Sequence, residues 1–176
     1  MKIVVTLLIV LLSLPSFAQN STAVTLRSIL LEQLHTTHDQ KDWFVPIDVA
    51  VDGLTAEQAT WKDGSGNHSV GQLTYHLLFW NQRELEKFKG EPEKKFSGNN
   101  DETFNDFDTK KWNDTVKQLN QVMSDLEKLV ETADEQKLQK LAPEIARIGT
   151  HNAYHVGQIV FVRKAQGSWI PEKGVK

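Results

Sequence analysis

The sequence of 176 residues contains no cysteine. Disulfide bonds and thiolate metal ligands are therefore excluded, and the fold has to rely on its hydrophobic core. The length is sufficient for one domain with a sizeable core. Any metal site must be built from histidine and carboxylate side chains, and the chain has 6 histidines and 23 acidic residues.

The sequence also lacks an excess of positive charge. It has 20 basic and 23 acidic residues, which gives a net charge of −3 at pH 7. Nucleic-acid-binding surfaces are strongly basic, so we predict no nucleic-acid partner. The sequence contains neither a glycine-rich phosphate loop nor a GxSxG motif. These absences argue against a P-loop nucleotide site and against a serine hydrolase of the α/β type.

The first 18 residues have the layout of a signal peptide. Lys2 gives a positive start, residues 3–14 form a short apolar run, and Ser16-Phe17-Ala18 is a small-x-small cleavage site. The run is too short to span a bilayer, and no later stretch is apolar enough to do so. We therefore predict a signal peptide over residues 1–18, a single domain over residues 19–176, and export to the periplasm or the medium. An N-terminal anchor or a buried helix is the alternative.

Hydrophobic periodicity predicts four helices and no strands. The segments cover approximately residues 21–41, 69–90, 108–130 and 143–166. The first has an apolar face of Leu26, Ile29, Leu30 and Leu34, and Pro46 then requires a kink or a restart. The second begins at a capping box, Ser69 to Gln72, and ends at Gly90. Four helices with mixed connections predict an all-α four-helix bundle.

We interpret the third predicted helix as a structural element without a functional side chain. Its stripe contains no ligand-type side chain and consists of Trp112, Val116, Leu119, Met123, Leu126 and Val130. The polar connection before it, residues 91–107, is either functional or a solvated crossover. The fourth predicted helix begins near Pro143 and stops at Gly167, and Trp169 and Ile170 are expected to pack back onto the bundle.

Three histidines are the candidate metal-binding residues. His151 and His155 are four residues apart, so on a helix their Cβ atoms lie about 5–6 Å from each other on one face. That pair alone is equally consistent with ordinary helix histidines. His76, however, borders the apolar stripe of the second helix. Protonating three histidines at the core boundary would cost stability, whereas a metal ion binds neutral imidazole. We therefore predict one divalent metal ion held by His76, His151 and His155.

Three histidine ligands without a fourth protein ligand are typical of catalytic zinc sites. Water in the open position would have a pKa near neutrality and could attack as hydroxide, or a substrate thiolate could occupy that position. Zinc or nickel is the expected ion, although cobalt or manganese also fits nitrogen ligands. The spacing of the pair matches the HExxH motif, but Asn152 replaces its glutamate, which argues against a zincin-type protease.

The remaining candidates are weaker. His68 lies about 12 Å along the helix axis from the second-helix histidine, too far to share its ion. His35 falls outside the apolar face of the first helix, and His38 falls at its edge, where it either lines the pocket or is solvated. Gln158 could orient a ligand or water, or it could be a surface residue.

Two segments carry a resemblance to a known family. HSVGQLTYHLLFWN covers residues 68–81, and GTHNAYHVGQIVFVRK covers residues 149–164. In them, and over residues 22–176 as a whole, the chain resembles the DinB/YfiT-like family. The resemblance implies an up-down-down-up four-helix bundle with a three-histidine metal site, which falls on His76, His151 and His155. It also implies either hydrolysis or transfer of thiols such as bacillithiol and mycothiol, which are mainly cytosolic.

Three functions are compatible with these observations. The first is a metal-dependent hydrolase of a small molecule, the second a metal-dependent thiol S-transferase, and the third a non-catalytic metal-binding domain. A basic side chain near the site would favour the second, and Arg83 and Arg163 are the candidates on the two helices. The expected partner is a small-molecule substrate, with a homodimer as a further possibility. The sequence assigns no catalytic residue besides the metal ligands.

Overall fold

The structure, a computed structural model, describes residues 23–105 and 107–174, and its regular structure there is entirely helical. The predicted signal peptide lies outside the described residues. Six α-helices follow one another in this part of the chain: α1 Leu26–His38, α2 Ile47–Val51, α3 Ala56–Thr60, α4 Val70–Lys89, α5 Trp112–Thr132 and α6 Glu135–Gln166. None of these helices combines the length and the hydrophobicity needed to cross a membrane. The predicted all-α class is confirmed.

Helix α4 begins and ends where the sequence predicts. The Ser69 hydroxyl accepts a hydrogen bond from the backbone N–H of Gln72 at 3.2 Å, and the Gln72 side chain accepts from the backbone N–H of Ser69 at 3.1 Å. Gly90 adopts a left-handed conformation with φ of 76°, which ends the helix at little steric cost. Pro46 also behaves as predicted, because the chain restarts there as α2.

The first helix is shorter and turned differently from the prediction. It starts after a capping box formed by Thr25 and Ser28, and it ends at His38 instead of reaching residue 41. Ile29 is 51% exposed, so the predicted apolar face is wrong at this position and at Leu26. The buried face instead contains Leu30, Leu34, Thr37 and His38. This spacing turns a narrower stripe toward α5 and α6.

The start of the last helix is a second correction. Helix α6 begins at Glu135, where the Asp134 side chain accepts a hydrogen bond from the backbone N–H of Lys137 at 2.7 Å. Pro143 therefore lies inside the helix and not in its first turn. Proline forfeits one helical hydrogen bond, but Leu138 and Ile145 are both fully buried on either side of it. Their packing offsets the lost bond and continues the helix through the proline.

Four long helices form the body of the molecule. Helix α4 packs against α5 and α6, and α1 also packs against α5 and α6, so the four contacts close a ring. The core inside this ring includes Leu34, Leu77, Leu119, Leu126 and Ile159. The up-down-down-up order of helix directions remains a prediction from the family resemblance. The ring places α4 and α6 side by side, which brings their histidines within reach of one another.

The connection between α4 and α5 packs on the bundle. Residues Asn100–Phe104 form a 3-10 turn against α4, and both Thr103 and Phe104 are buried. Phe107 contacts Trp112, the first residue of α5, edge to face with 6.0 Å between ring centroids. In the tail, Trp169 is buried as expected, whereas Ile170 is 47% exposed and does not pack back as predicted.

Candidate metal centre

His76 of α4 meets His151 and His155 of α6 where these two helices pack together. One ring nitrogen from each of the three lies within 4.8 Å of the other two. The Nε2 atoms of His76 and His151 are 3.1 Å apart. His76 and His155 are buried, and His151 is half-buried. Within the described part of the chain, these three side chains form a group that could hold a metal ion.

The proton of His76 is held on the side away from the cluster. Its Nδ1 lies 2.5 Å from the Thr103 hydroxyl, and that hydroxyl donates its own proton to the Asn100 carbonyl at 2.6 Å. The hydroxyl must therefore accept from Nδ1–H of His76. The neutral ring then has its lone pair on Nε2, the atom that faces His151. Such an outer hydrogen bond is the usual support of a metal-binding histidine.

His155 is fixed in the same way by its own helix. Its Nδ1 lies 2.6 Å from the amide oxygen of Gln158, and an amide oxygen can only accept, so Nδ1–H donates. The amide nitrogen of Gln158 in turn donates to the Tyr154 hydroxyl at 3.2 Å. Gln158 thus orients the candidate ligand His155. The sequence allowed either this role or a surface position for Gln158.

The donor set fits a divalent transition-metal ion. With Zn–N distances of about 2.0–2.1 Å, two nitrogens in a tetrahedral site are separated by about 3.3 Å, close to the 3.1 Å between the Nε2 atoms of His76 and His151. Nε2 of His76 carries a lone pair, so its close approach to Nε2 of His151 is favourable when a proton or a cation lies between the two nitrogens. Three neutral imidazoles are the ligand form that metal binding requires.

The surroundings keep these rings neutral. Burial, together with the neighbouring rings of His155 and His151, lowers the pKa of His76 to about 3. Burial and the ring of His151 lower the pKa of His155 to about 4, and burial also lowers the pKa of His151. Protons therefore compete weakly for these nitrogens near neutral pH, so the cluster is ready to accept a cation.

Phe104 joins the crossover to the cluster. Its ring stacks on His76 with 4.0 Å between centroids and on His68 with 3.8 Å, each pair within 4° of parallel. Two rings cannot occupy one face, so Phe104 lies between the two histidines. Sequence reasoning missed Thr103 and Phe104, because neither falls in a periodic segment. The one available signal was that a long connection in a compact domain is often functional.

The cluster opens into a cavity of about 690 Å³. Aromatic side chains on its wall are Trp80, Phe104 and Tyr154, and the Trp80 indole donates to the Asn100 side chain at 3.2 Å. This volume lies in the range of small-molecule sites, which typically combine apolar walls with a few polar groups. A ligand in the cavity would reach the histidines directly.

A pair of amides ties the two histidine-bearing helices together. Asn81 donates to the side-chain oxygen of Asn152 at 2.8 Å, and Asn152 donates back to that of Asn81 at 3.2 Å. Both residues are buried, and Asn152 is also 3.3 Å from the sulfur of Met123. Asn152, which stands where zincins have their glutamate, is therefore committed to the core.

The other histidines lie elsewhere. His38 neither lines the cavity nor is solvated as predicted, since it is buried with Nδ1 at 2.8 Å from Glu127 of α5. His35 is half-buried beside the same carboxylate. His68 lines the cavity but is not in the three-histidine group. The reading of α5 as plain scaffold overlooked Glu127, which borders its apolar stripe.

The two candidate arginines are engaged away from the cavity. Arg163 is buried and donates to the backbone carbonyls of Ala50, Asp52 and Ser168. Arg83 pairs with Glu93 at 3.1 Å. Sequence reasoning did not single out Arg147, which does line the cavity and pairs with Glu144 on the same helix.

The sequence profile of the DinB superfamily matches residues 47–161. This segment covers more than half of the chain and includes all three histidines, and the chain belongs to the DinB superfamily. No curated protein and no solved structure gives a significant match. The family assignment, the helical fold and the three-histidine group together fit a metal-binding protein.

Proposed function

We propose that this protein is a divalent-metal-dependent hydrolase of a small molecule, with His76, His151 and His155 as the metal ligands. The observation that carries the proposal is the convergence of three neutral imidazoles at the wall of a 690 Å³ cavity. Within residues 23–105 and 107–174, no fourth histidine or carboxylate joins this group. Open coordination positions are typical of catalytic sites, whereas structural zinc sites are closed by four protein ligands.

The residues around the ion have separable tasks. A divalent ion held by these three imidazoles would supply a Lewis acid, as catalytic zinc does when it lowers the pKa of water to about 7. Thr103 and Gln158 hold the Nδ1 protons of His76 and His155, so that both Nε2 lone pairs stay available. Phe104 stacks on one face of His76 and covers it. The aromatic wall would bind the apolar part of a substrate.

The charge of the cavity favours hydrolysis over thiol transfer. Its lining includes three carboxylates, on Glu84, Asp101 and Glu144, and one guanidinium, on Arg147. Arg147 is already paired with Glu144. A thiol cofactor that carries carboxylates would meet like charge at this wall, which is unfavourable. A non-catalytic metal-binding domain, the third alternative, would not need an accessible cavity beside the ion.

Zinc or nickel is the proposed ion, since both accept imidazole nitrogen. Elemental analysis and calorimetric titration should find a tightly bound equivalent at these three ligands, and this equivalent should be lost in His76→Ala, His151→Ala and His155→Ala. His68→Ala is the matched control, because its ring is near the cluster but outside it. At a hundredfold excess over the dissociation constant, the ion should stabilise the wild type by about 2.7 kcal/mol. Unchanged affinity in His76→Ala would contradict the ligand assignment.

Activity is tested separately from binding. Panels of small esters, amides and lactones, with and without added metal, should reveal turnover that disappears in the three ligand variants. The same panels with added low-molecular-weight thiols test thiol transfer. Full metal occupancy without turnover on either panel would support a non-catalytic role instead.

We further propose that the protein is exported. The support is the positive start, the apolar run and the cleavage motif of residues 1–18. Mass spectrometry of the native protein should find a chain that begins after Ala18. A chain that still begins at Met1 in a cytosolic fraction would contradict export. Size-exclusion chromatography with light scattering would test the possible homodimer.

A further inference from the structure

A second group of ligand-type side chains lies between α1 and α5, the helix pair that the three-histidine cluster does not join. His35 and Asp39 come from the C-terminal end of α1, and Glu127 comes from α5. His35 and Asp39 are four residues apart, so they lie on one face of the helix. One ligand atom from each of the three lies within 4.8 Å of the other two.

The distances within this group are those of a coordination sphere. Nδ1 of His35 is 3.3 Å from Oε1 of Glu127 and 3.9 Å from Oδ1 of Asp39. Ligands about 2.1 Å from one tetrahedrally coordinated ion are separated by about 3.4 Å. Small side-chain movements would therefore let all three bind the same cation, without any change in the helices.

The polar atoms here are incompletely satisfied. Among the described residues, the buried Nδ1 of His35 makes no hydrogen bond of acceptable geometry, although it lies 3.3 Å from Oε1 of Glu127. The buried Oδ1 of the neighbouring Asp48 on α2 also has no hydrogen-bond partner. Glu127 is only 8% exposed. Buried polar atoms without partners cost free energy, and such atoms are uncommon in folded proteins. A bound cation would satisfy His35 and reduce the cost of burying the Glu127 carboxylate.

An ion pair with His38 accounts for part of the group. Nδ1 of His38 lies 2.8 Å from Oε1 of Glu127, the same oxygen that faces Nδ1 of His35 at 3.3 Å. A carboxylate oxygen has two lone pairs, so Oε1 can accept from His38 and still face a cation beside His35. His38 also orients Glu127 from the side, as the partners of metal-binding carboxylates do.

We propose that His35, Asp39 and Glu127 bind a second divalent cation. One imidazole and two carboxylates suit a first-row ion that accepts both nitrogen and oxygen, such as zinc or manganese. Calcium is a poorer fit, since it takes six to eight oxygen ligands. The ion would link the end of α1 to α5, and water would complete its coordination. This proposal is independent of any catalytic activity.

The test uses the double variant His76→Ala/His151→Ala, which lacks the first site. Equilibrium dialysis with zinc and with manganese, followed by elemental analysis, should find one equivalent still bound. Loss of a partner that merely orients a ligand lowers metal affinity by about 10–100-fold, so adding His35→Ala, which removes a ligand, should weaken binding at least that much. Glu32→Gln, an exposed carboxylate of the same helix, is the control and should change nothing.

The wild-type chain gives an independent measurement if the double variant folds poorly. It should bind two equivalents, and His35→Ala and Glu127→Gln should each bind one. His35 is partly exposed, so its replacement leaves the core intact. A wild-type stoichiometry of one, unchanged in His35→Ala, would overturn the proposal. A stoichiometry of one that falls to zero in His35→Ala would instead contradict the first site.

Discussion

Thr103→Val isolates the contribution of the crossover to the three-histidine cluster. Valine has nearly the shape of threonine but lacks the hydroxyl that accepts the Nδ1 proton of His76. Both Thr103 and His76 are 2% exposed, so water cannot easily replace the lost acceptor. The buried N–H would remain unsatisfied, which costs about 1–3 kcal/mol. We expect the free energy of unfolding of the metal-free protein to fall by that amount.

Metal affinity should fall as well. Without the hydroxyl, the ring of His76 is no longer held in the tautomer that directs Nε2 toward His151. Removing an outer partner of this kind typically weakens metal binding by about 10–100-fold. Competition with a chromophoric chelator measures the affinity, and urea denaturation measures the stability. Thr103→Ser should restore both quantities, since it returns the hydroxyl.

Thr74→Val is the matched control for this substitution. Thr74 is also a buried threonine and lies on α4 near His76, but its hydroxyl donates to the Val70 carbonyl of its own helix at 2.8 Å. Its loss should leave metal affinity unchanged. If Thr103→Val bound metal as tightly as Thr74→Val does, the hydroxyl would not be orienting His76, and the tautomer argument would be refuted.

Three further predictions concern stability. Unfolded chains protonate His76 below its ordinary pKa of 6.5, whereas the folded metal-free protein, with a pKa of about 3, does not. Lowering the pH from 8 to 5 should therefore reduce the free energy of unfolding by about 2 kcal/mol through protonation of this residue in the unfolded chain. Denaturant titrations of His76→Ala should show a decrease that is smaller by that amount. Gly71→Ala should destabilise the protein by about 1–3 kcal/mol, because its Cβ would lie 2.3 Å from the Phe107 ring. Gly157→Ala, on an open face of α6, should stabilise the protein by up to about 1 kcal/mol. Equal melting temperatures for Gly71→Ala and Gly157→Ala would contradict both expectations.

Local signals predicted the parts of the site that lie on helices. A capping box needs only Ser69 and Gln72, and a left-handed helix end needs only Gly90, so both could be read from a few neighbouring letters. The spacing of His151 and His155 fixes their common face for the same reason. His76 joined them as a prediction because its position on the apolar stripe pointed it into the bundle.

The parts that the sequence did not reveal depend on long-range contacts. Thr103 is 27 residues from His76, and Glu127 is 89 residues from His38. No periodicity links such pairs, since each contact exists only after the helices have packed. The early start of α6 was missed for a related reason, as the burial of Leu138 outweighs the local signal of a proline. Local rules therefore described the candidate ligands better than the residues that orient them.

The paired amides of Asn81 and Asn152 have a consequence for how a metal ion would bind. Their two reciprocal hydrogen bonds fix α4 against α6 without any ion, one residue from His151 and five from His76. The conformational entropy of ordering the three imidazoles is thus lost during folding and not during binding. The metal-free chain should already be folded, in contrast to small zinc domains that fold only around their ion. Binding and release of the metal can then be reversible while the helical bundle stays folded.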